Sequence, residues 1–268
     1  MIHYFASDIH LRADRPDRTA RFTRWLQTLE GTEALLILGD LCDFWMGSRQ
    51  SESSILHNTA LKALAAFRER GGQLSILPGN HDRWLCPLYE RALGARIVAE
   101  PYEATIHGIR LHMVHGHLLG ARRKWKAVLE SRAFFRGFST VPLPIAARLD
   151  HLLERRNEVS LLEDEERHLA VFREYAQRQS PRADLVVIGH VHRAVDERNR
   201  QPGLVVLGGW QHRSSYLRVD PTGASFIVSD DSGVALTAEN PTPTEVDPDR
   251  EDSLRSRKSL AAERHPTP

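Results

Sequence analysis

Five short polar clusters hold most of the chemistry-bearing residues of this 268-residue chain. They are Asp8-Ile9-His10, Gly39-Asp40-Leu41-Cys42-Asp43, Gly79-Asn80-His81-Asp82, His115-Gly116-His117 and Gly189-His190-Val191-His192. Imidazoles and carboxylates are ligands for borderline transition metals such as Mn, Fe, Zn or Co. Two such ions about 3.5–4 Å apart can activate water and clamp a phosphoryl group. Such a pair needs one carboxylate shared between the ions. Asp40 is the candidate, because Gly39 lets the chain turn sharply just before it.

The elements that would position these clusters are legible as patterns. Each cluster directly follows a short apolar run: Ile2–Ala6, Ala34–Leu38, Leu74–Leu77, Leu111–Val114 and Leu185–Ile188. Runs of this length bounded by turn residues read as buried strands. Between the first three, Arg18–Leu29 shows one helical face through Phe22, Trp25, Leu26 and Leu29. Ser53–Arg70 shows another through Leu61, Leu64, Ala65 and Phe67, stopped by Gly71-Gly72. The order strand–helix–strand–helix–strand predicts a parallel sheet. Ligands of open α/β sheets gather at the carboxyl ends of the strands, so five clusters so placed can converge on one point. After Ala104 the texture changes. Ala104–Ile106 and Ile109–Val114 flank His107-Gly108 like a hairpin, and a helical region runs from about 120 to 179, interrupted at Pro142 and Pro144. Strands return at Ala194–Arg198, Leu204–Leu207, Tyr216–Val219 and Ala224–Val228. Residues 237–268, rich in Pro, Thr and charge and poor in apolar side chains, read as a disordered tail.

Composition narrows the classes. The net charge of +1 argues against a dedicated nucleic-acid binder. No apolar run reaches the roughly 18 residues of a membrane span, and Asp8 and His10 come too early for a secretory signal, so a cytoplasmic protein is expected. Cys42 and Cys86 alone make no disulfide framework. There are 32 Arg against 4 Lys, which fits either phosphate recognition or the coding bias of a GC-rich genome.

The clusters, in order, resemble the motifs DxH, GDxxD, GNHD, HG and GHxH of the calcineurin-like metallophosphoesterase family. The resemblance implies an α/β protein with a four-layer α/β/β/α sandwich, spanning residues 1–236. It implies two divalent metal ions, Mn(2+) first, with Fe, Zn or Co as alternatives. One ion falls to Asp8, His10, Asp40 and His192; the other falls to Asp40, Asn80, His115 and His190. His81 would be the catalytic acid or would steady the phosphoryl group, and Asp40 would bridge. Asp43 reads either as a carboxylate behind a ligand or as a loop hydrogen-bonder. His117 reads as a supporting or substrate-facing residue. His3, His57, His107, His112, His151, His168 and His265 have no motif and are expected to be ordinary.

A narrower resemblance is to the UDP-2,3-diacylglucosamine pyrophosphatases of lipid A biosynthesis. It rests on the segment from Ile37 to Gly47, on the insertion at 120–179, and on Val206-Leu207-Gly208-Gly209-Trp210 followed by Ser215–Val219. It implies a helical lid over the metals at 120–179 and a nucleotide-lipid substrate cleaved to UMP and a lipid monophosphate. Substrate contacts would come from Asn80, His81, Arg123, Asn157 and His190. The early lid is basic, with Arg122, Arg123, Lys124 and Lys126, and then apolar, with Phe134, Phe135 and Phe138. Such a segment suits acyl chains or a peripheral contact with the inner membrane face; it suits equally a helical hairpin packed on the core. The chain departs from that family's pattern at His81 (Arg there), His117 (Asp there) and Arg123 (acidic there). Leu153 and Ser160 stand where it has Ser and Lys. The alternatives are therefore another phosphodiester, nucleotide or nucleotide-sugar substrate, and a non-catalytic scaffold.

Overall fold

A computed structural model describes residues 1–12, 15–43, 58–120, 165–229 and the backbone of 235–236. The chain opens with β1 (His3–Ala6), α1 (Pro16–Thr28), β2 (Ala34–Leu38), α2 (Thr59–Glu69) and β3 (Gln73–Leu77), the anticipated alternation. Local chemistry explains the helix starts. Pro16 supplies a pre-set φ at the first turn of α1, where its missing N–H costs nothing, and Asp17 faces the positive end of the helix dipole. The Asn58 carboxamide accepts from the backbone of Ala60 and Leu61 to cap α2. A single 3-10 turn (Arg83–Leu85) then leads into α3 (Cys86–Leu93), which ends on Gly94 in the left-handed region at φ 60°.

The remaining strands are β4 (Arg96–Ile97), β5 (Tyr102–Ile106), β6 (Ile109–Val114), β7 (Leu185–Ile188), β8 (Val195–Glu197), β9 (Gly203–Val206), β10 (Ser214–Asp220), β11 (Gly223–Ser229) and β12 (Ala235–Leu236). They build two mixed sheets. The first has the order β12-β11-β10-β1-β2-β3-β4, with β1 to β4 parallel and the β10–β12 end antiparallel. The second has the order β5-β6-β7-β9-β8, parallel through β6, β7 and β9.

Three apolar clusters show the layering. Phe22, Trp25, Leu26, Leu61, Leu64, Phe67 and Tyr89 carry α1, α2 and α3 against the outer face of the first sheet. Phe5, Leu36, Leu38 and Leu77 meet Leu111, Met113, Leu185, Val187 and Val205 between the sheets. Helix α4 (165–178) packs Leu169, Phe172 and Ala176 on Val114, Val186, Ile188 and Val206 of the second sheet. Helix, sheet, sheet, helix is the expected four-layer α/β architecture. Burying each such large apolar side chain contributes ~1.5–3 kcal/mol. Helix α4 occupies the end of the span read as a lid; 121–164, with Arg123 and Asn157, lies outside the described residues, as does the tail from 237. Among the described residues no helix is long and apolar enough to cross a membrane.

Candidate metal centre

The parallel strands of both sheets run the same way toward one edge, and the polar clusters leave from there. After β1 and β2 the chain turns abruptly: Asp8, His10 and Asp40 have φ of 54°, 49° and 54°, and His190 after β7 has 68°. Left-handed backbone costs an L-residue about 1–2 kcal/mol, and such positions concentrate at functional sites. Here the two turns brace each other. Asp8 N donates to Gly39 O at 3.1 Å, His10 N to Asp40 O at 2.9 Å and Leu11 N to Leu41 O at 2.9 Å. The sheets are also tied across the gap: His190 N donates to Asp8 Oδ2 at 2.8 Å, and His115 Nδ1 lies 2.7 Å from Leu38 O.

Two groups of donor atoms result, each able to surround one ion: Asp8, His10 and His192, and Asp40, His115 and His190. Asp40 Oδ2 joins them, lying 3.2 Å from His115 Nε2 and 3.9 Å from His10 Nε2. Asn80 Oδ1 adds to the second group, 3.2 Å from His115 Nε2. All seven residues expected to hold metal are thus brought to one place. His81 sits beside the first group, its ring centroid 4.8 Å from that of His10, and with His10 and Asp40 it forms a third overlapping set.

The donor set fits divalent cations on its own chemistry. Asp8 Oδ1 is buried without a hydrogen-bond partner, an expensive state for a carboxylate oxygen unless a cation faces it. The Nε2 atoms of His10 and His192 point at each other 3.2 Å apart, while their Nδ1 atoms are engaged elsewhere: His10 with Asp43 Oδ1 at 2.7 Å, His192 with Gln211 Nε2 at 2.9 Å. Imidazoles held from behind by a carboxylate or amide, with the other nitrogen presented inward, are the arrangement of metal-ligating histidines. This resolves Asp43: it orients His10, reaches His81 Nδ1 at 3.4 Å, and is met by Arg12 Nη1 at 3.4 Å.

The electrostatics follow from packing acids and imidazoles out of water. Burial alone would lower the pKa of His10, His81 and His115, but the surrounding carboxylates raise all three, His115 to about 10 chiefly through Asp40. Burial would raise Asp40 and Asp43, yet their imidazole neighbours hold both well below the ordinary carboxylate range. His192 goes the other way. Burial, and then the charge on His10, push it down to about 4, so it presents a neutral ring. Asp82 is raised to about 6 by burial and then by Asp40. Its carboxylate accepts from Gly79 N at 2.9 Å, Leu41 N at 2.8 Å and the Tyr89 hydroxyl at 3.3 Å, so it splices the β2 and β3 loops together.

Three residues join the site that the motifs did not mark. His168, read as ordinary, projects from α4 with its ring 5.8 Å from that of His190. His117 also stands beside the second group, its ring 5.2 Å from that of His115 and 6.3 Å from that of His190. Gln211 and the buried Arg21 meet in the loop after β9, with Arg21 Nη1 donating to Trp210 O and Gln211 O, each at 2.7 Å. A helix position and a loop glutamine carry no spacing signal, so neither was recoverable from pattern.

The model of the calcineurin-like phosphoesterase family matches residues 4–194, a span that includes all five clusters. Among curated proteins, the UDP-2,3-diacylglucosamine hydrolase of Xanthomonas campestris pv. campestris is 30% identical over 246 residues, covering 84% of this chain and 98% of that one. The hydrolase of the same name from Hahella chejuensis is 28% identical over 240 residues, 83% and 95% of the two chains. That from Aeromonas salmonicida is 39% identical over a shorter stretch of 116 residues, 43% of this chain and 45% of that one.

Proposed function

The chain belongs to the calcineurin-like phosphoesterase family, a metal-dependent hydrolase by that membership, and from this premise we propose that it hydrolyses the phosphoanhydride of UDP-2,3-diacylglucosamine. The observation that carries the reaction class is the pair of adjacent donor groups with Asp40 Oδ2 standing between His115 and His10, and with Asp8 Oδ1 buried without a hydrogen-bond partner. The substrate is supported by relatives bearing that name along most of the chain.

Two divalent ions, Mn(2+) by preference, would be held by Asp8, His10, Asp40 and His192 on one side and by Asp40, Asn80, His115 and His190 on the other. When bound they supply Lewis-acid polarisation of the phosphoryl oxygens and activation of the attacking water. The chain's residues do the rest. Asp40, kept ionised by its imidazoles, presents Oδ2 to both groups, while its Oδ1 accepts from His81 N at 2.9 Å and so fixes the His81 loop. Asp40 and Asp43 raise the His81 pKa against the effect of burial, which favours the protonated ring, and that ring can donate toward the leaving oxygen. Water attacks the phosphorus nearer uridine, the bond from that phosphorus to the bridging oxygen breaks, and UMP and a lipid monophosphate leave. Within residues 120–179, the stretch before α4 would act as the lid, with Arg123 and Asn157 on the head group and Phe134, Phe135 and Phe138 along the acyl chains. That basic, apolar stretch is also what supports a cytoplasmic protein working at the inner membrane face.

The test is turnover with Mn(2+). Wild type should release UMP from UDP-2,3-diacylglucosamine, and Asp40→Asn should lose it by on the order of 10³-fold or more. Equal turnover by both proteins overturns the metal mechanism. Turnover of a simple phosphodiester but not of the acylated nucleotide, or indifference to Phe134, Phe135 and Phe138 becoming Ala, overturns the substrate and leaves the mechanism standing.

A further inference from the structure

We propose that Gln211 is a positioning residue for one of the two metal subsites, that of Asp8, His10 and His192, and that the loop carrying it clamps this subsite alone; the inference rests on the dinuclear reading above. Gly209, Trp210 and Gln211 of the loop after β9 all meet the site at this group. Gly209 N donates to His192 O at 2.9 Å and Trp210 N to Asp8 O at 3.3 Å, while the Gln211 side chain meets His192 Nδ1 at 2.9 Å. Arg21, buried on the inner face of α1, closes the loop from below by donating to the carbonyls of Trp210 and Gln211. His115, by contrast, is held by Leu38 O from the first sheet.

The chemistry sets which end of the amide matters. His192 Nε2 faces into the site, 3.2 Å from His10 Nε2 and 3.9 Å from Asp8 Oδ1. A ring that ligates through Nε2 carries its proton on Nδ1, so its neighbour must accept. The structure sets Gln211 Nε2 against Nδ1; a half-turn of the carboxamide puts its oxygen at the same position, and in that orientation Gln211 would accept the Nδ1 proton of a metal-ligating ring. Such a bond fixes both the tautomer and the ring plane. Gly209 makes room for it, since an added Cβ there would lie 2.2 Å from the end of the Gln211 amide.

The experiment is Mn(2+) binding to metal-free full-length protein by equilibrium dialysis, with Co(2+) absorption as an independent reading of ligand geometry. Wild type should bind two ions per chain. Gln211→Ala should weaken one of them by about 10–100-fold and leave the other unchanged. Gln211→Glu, which keeps an acceptor oxygen, should restore the affinity. Gly209→Ala, which displaces the amide without removing it, should reproduce the Gln211→Ala pattern. Two ions bound by Gln211→Ala at wild-type affinities would overturn the proposal, as would equal weakening of both ions or failure of Gln211→Glu to recover. Wild type that binds fewer than two ions would instead overturn the dinuclear reading, and the proposal with it.

Discussion

A proton and a cation compete for Nε2 of His115. Its pKa in the folded, metal-free protein is about 10, raised by Asp40 against the effect of burial. A raised value means that the folded state binds the proton more tightly than the unfolded chain, whose imidazole titrates near 6.5. The stability this contributes is therefore fully present below about pH 6.5 and is lost as pH rises toward about 10. A cation taking that nitrogen must expel the proton. His192, lowered to about 4, has none to lose. Calorimetric titration of the metal-free protein with Mn(2+) at pH 7.5 should show heats that depend on the ionisation enthalpy of the buffer, corresponding to release of at least about one proton per chain. Buffer-independent heats would contradict a protonated His115.

At the scale of elements, the site is made of loops that leave parallel strands and are pressed together more tightly than ordinary side chains permit. Gly79 shows this. A Cβ on it would stand 2.0 Å from Asp40 Oδ1 and 2.7 Å from the Asp40 backbone nitrogen, and neither atom belongs to a flexible tail. Gly79→Ala should push the bridging carboxylate out of place, lowering Mn(2+) affinity at both subsites and reducing turnover by on the order of 10²-fold. The thermal midpoint of the metal-free protein should shift less than that of the loaded one, and differential scanning calorimetry with and without Mn(2+) would read the difference. These loops were legible because each polar cluster follows an apolar run of four or five residues bounded by turn residues, a length that suits a buried strand better than a helix. The short elements were not. Arg96–Ile97 is two residues long, and Cys86–Leu93 spans only about two turns, too short for its apolar positions to establish a helical period; both exist because β3 and the outer core offer them partners.

For the molecule as a whole, the centre is a joint between two sheets. Of the candidate ligands, Asp8, His10, Asp40 and Asn80 come from the first and His115, His190 and His192 from the second, so they stay together only while the inter-sheet core holds. Met113, fully buried in that core and two residues before His115, tests the dependence. Met113→Ala should cost ~2–5 kcal/mol of stability. Saturating Mn(2+) should add the same increment to wild type and variant, about 2.7 kcal/mol per site at a hundredfold excess over Kd, because the ligands themselves are untouched. Denaturant unfolding with and without metal measures both quantities.

What the amino-acid sequence determined by itself was the five polar clusters and the strands that precede them, because residue types at fixed offsets and periodicity along a chain are local properties; the candidate ligand list and the four-layer architecture were what the resemblance of those clusters to the calcineurin-like motifs implied. Which ligands share a subsite, that Asp43 stands behind His10, that His168 reaches His190 from α4, and that Gln211 and Arg21 hold the His192 side were decided only by the tertiary structure. Each of those contacts joins residues 22 to 190 positions apart or, for Gln211 and His192, 19 apart across a sheet. No spacing rule spans such separations; they are set by the pairing of neighbouring strands, the packing of helices on each sheet and the packing of one sheet on the other.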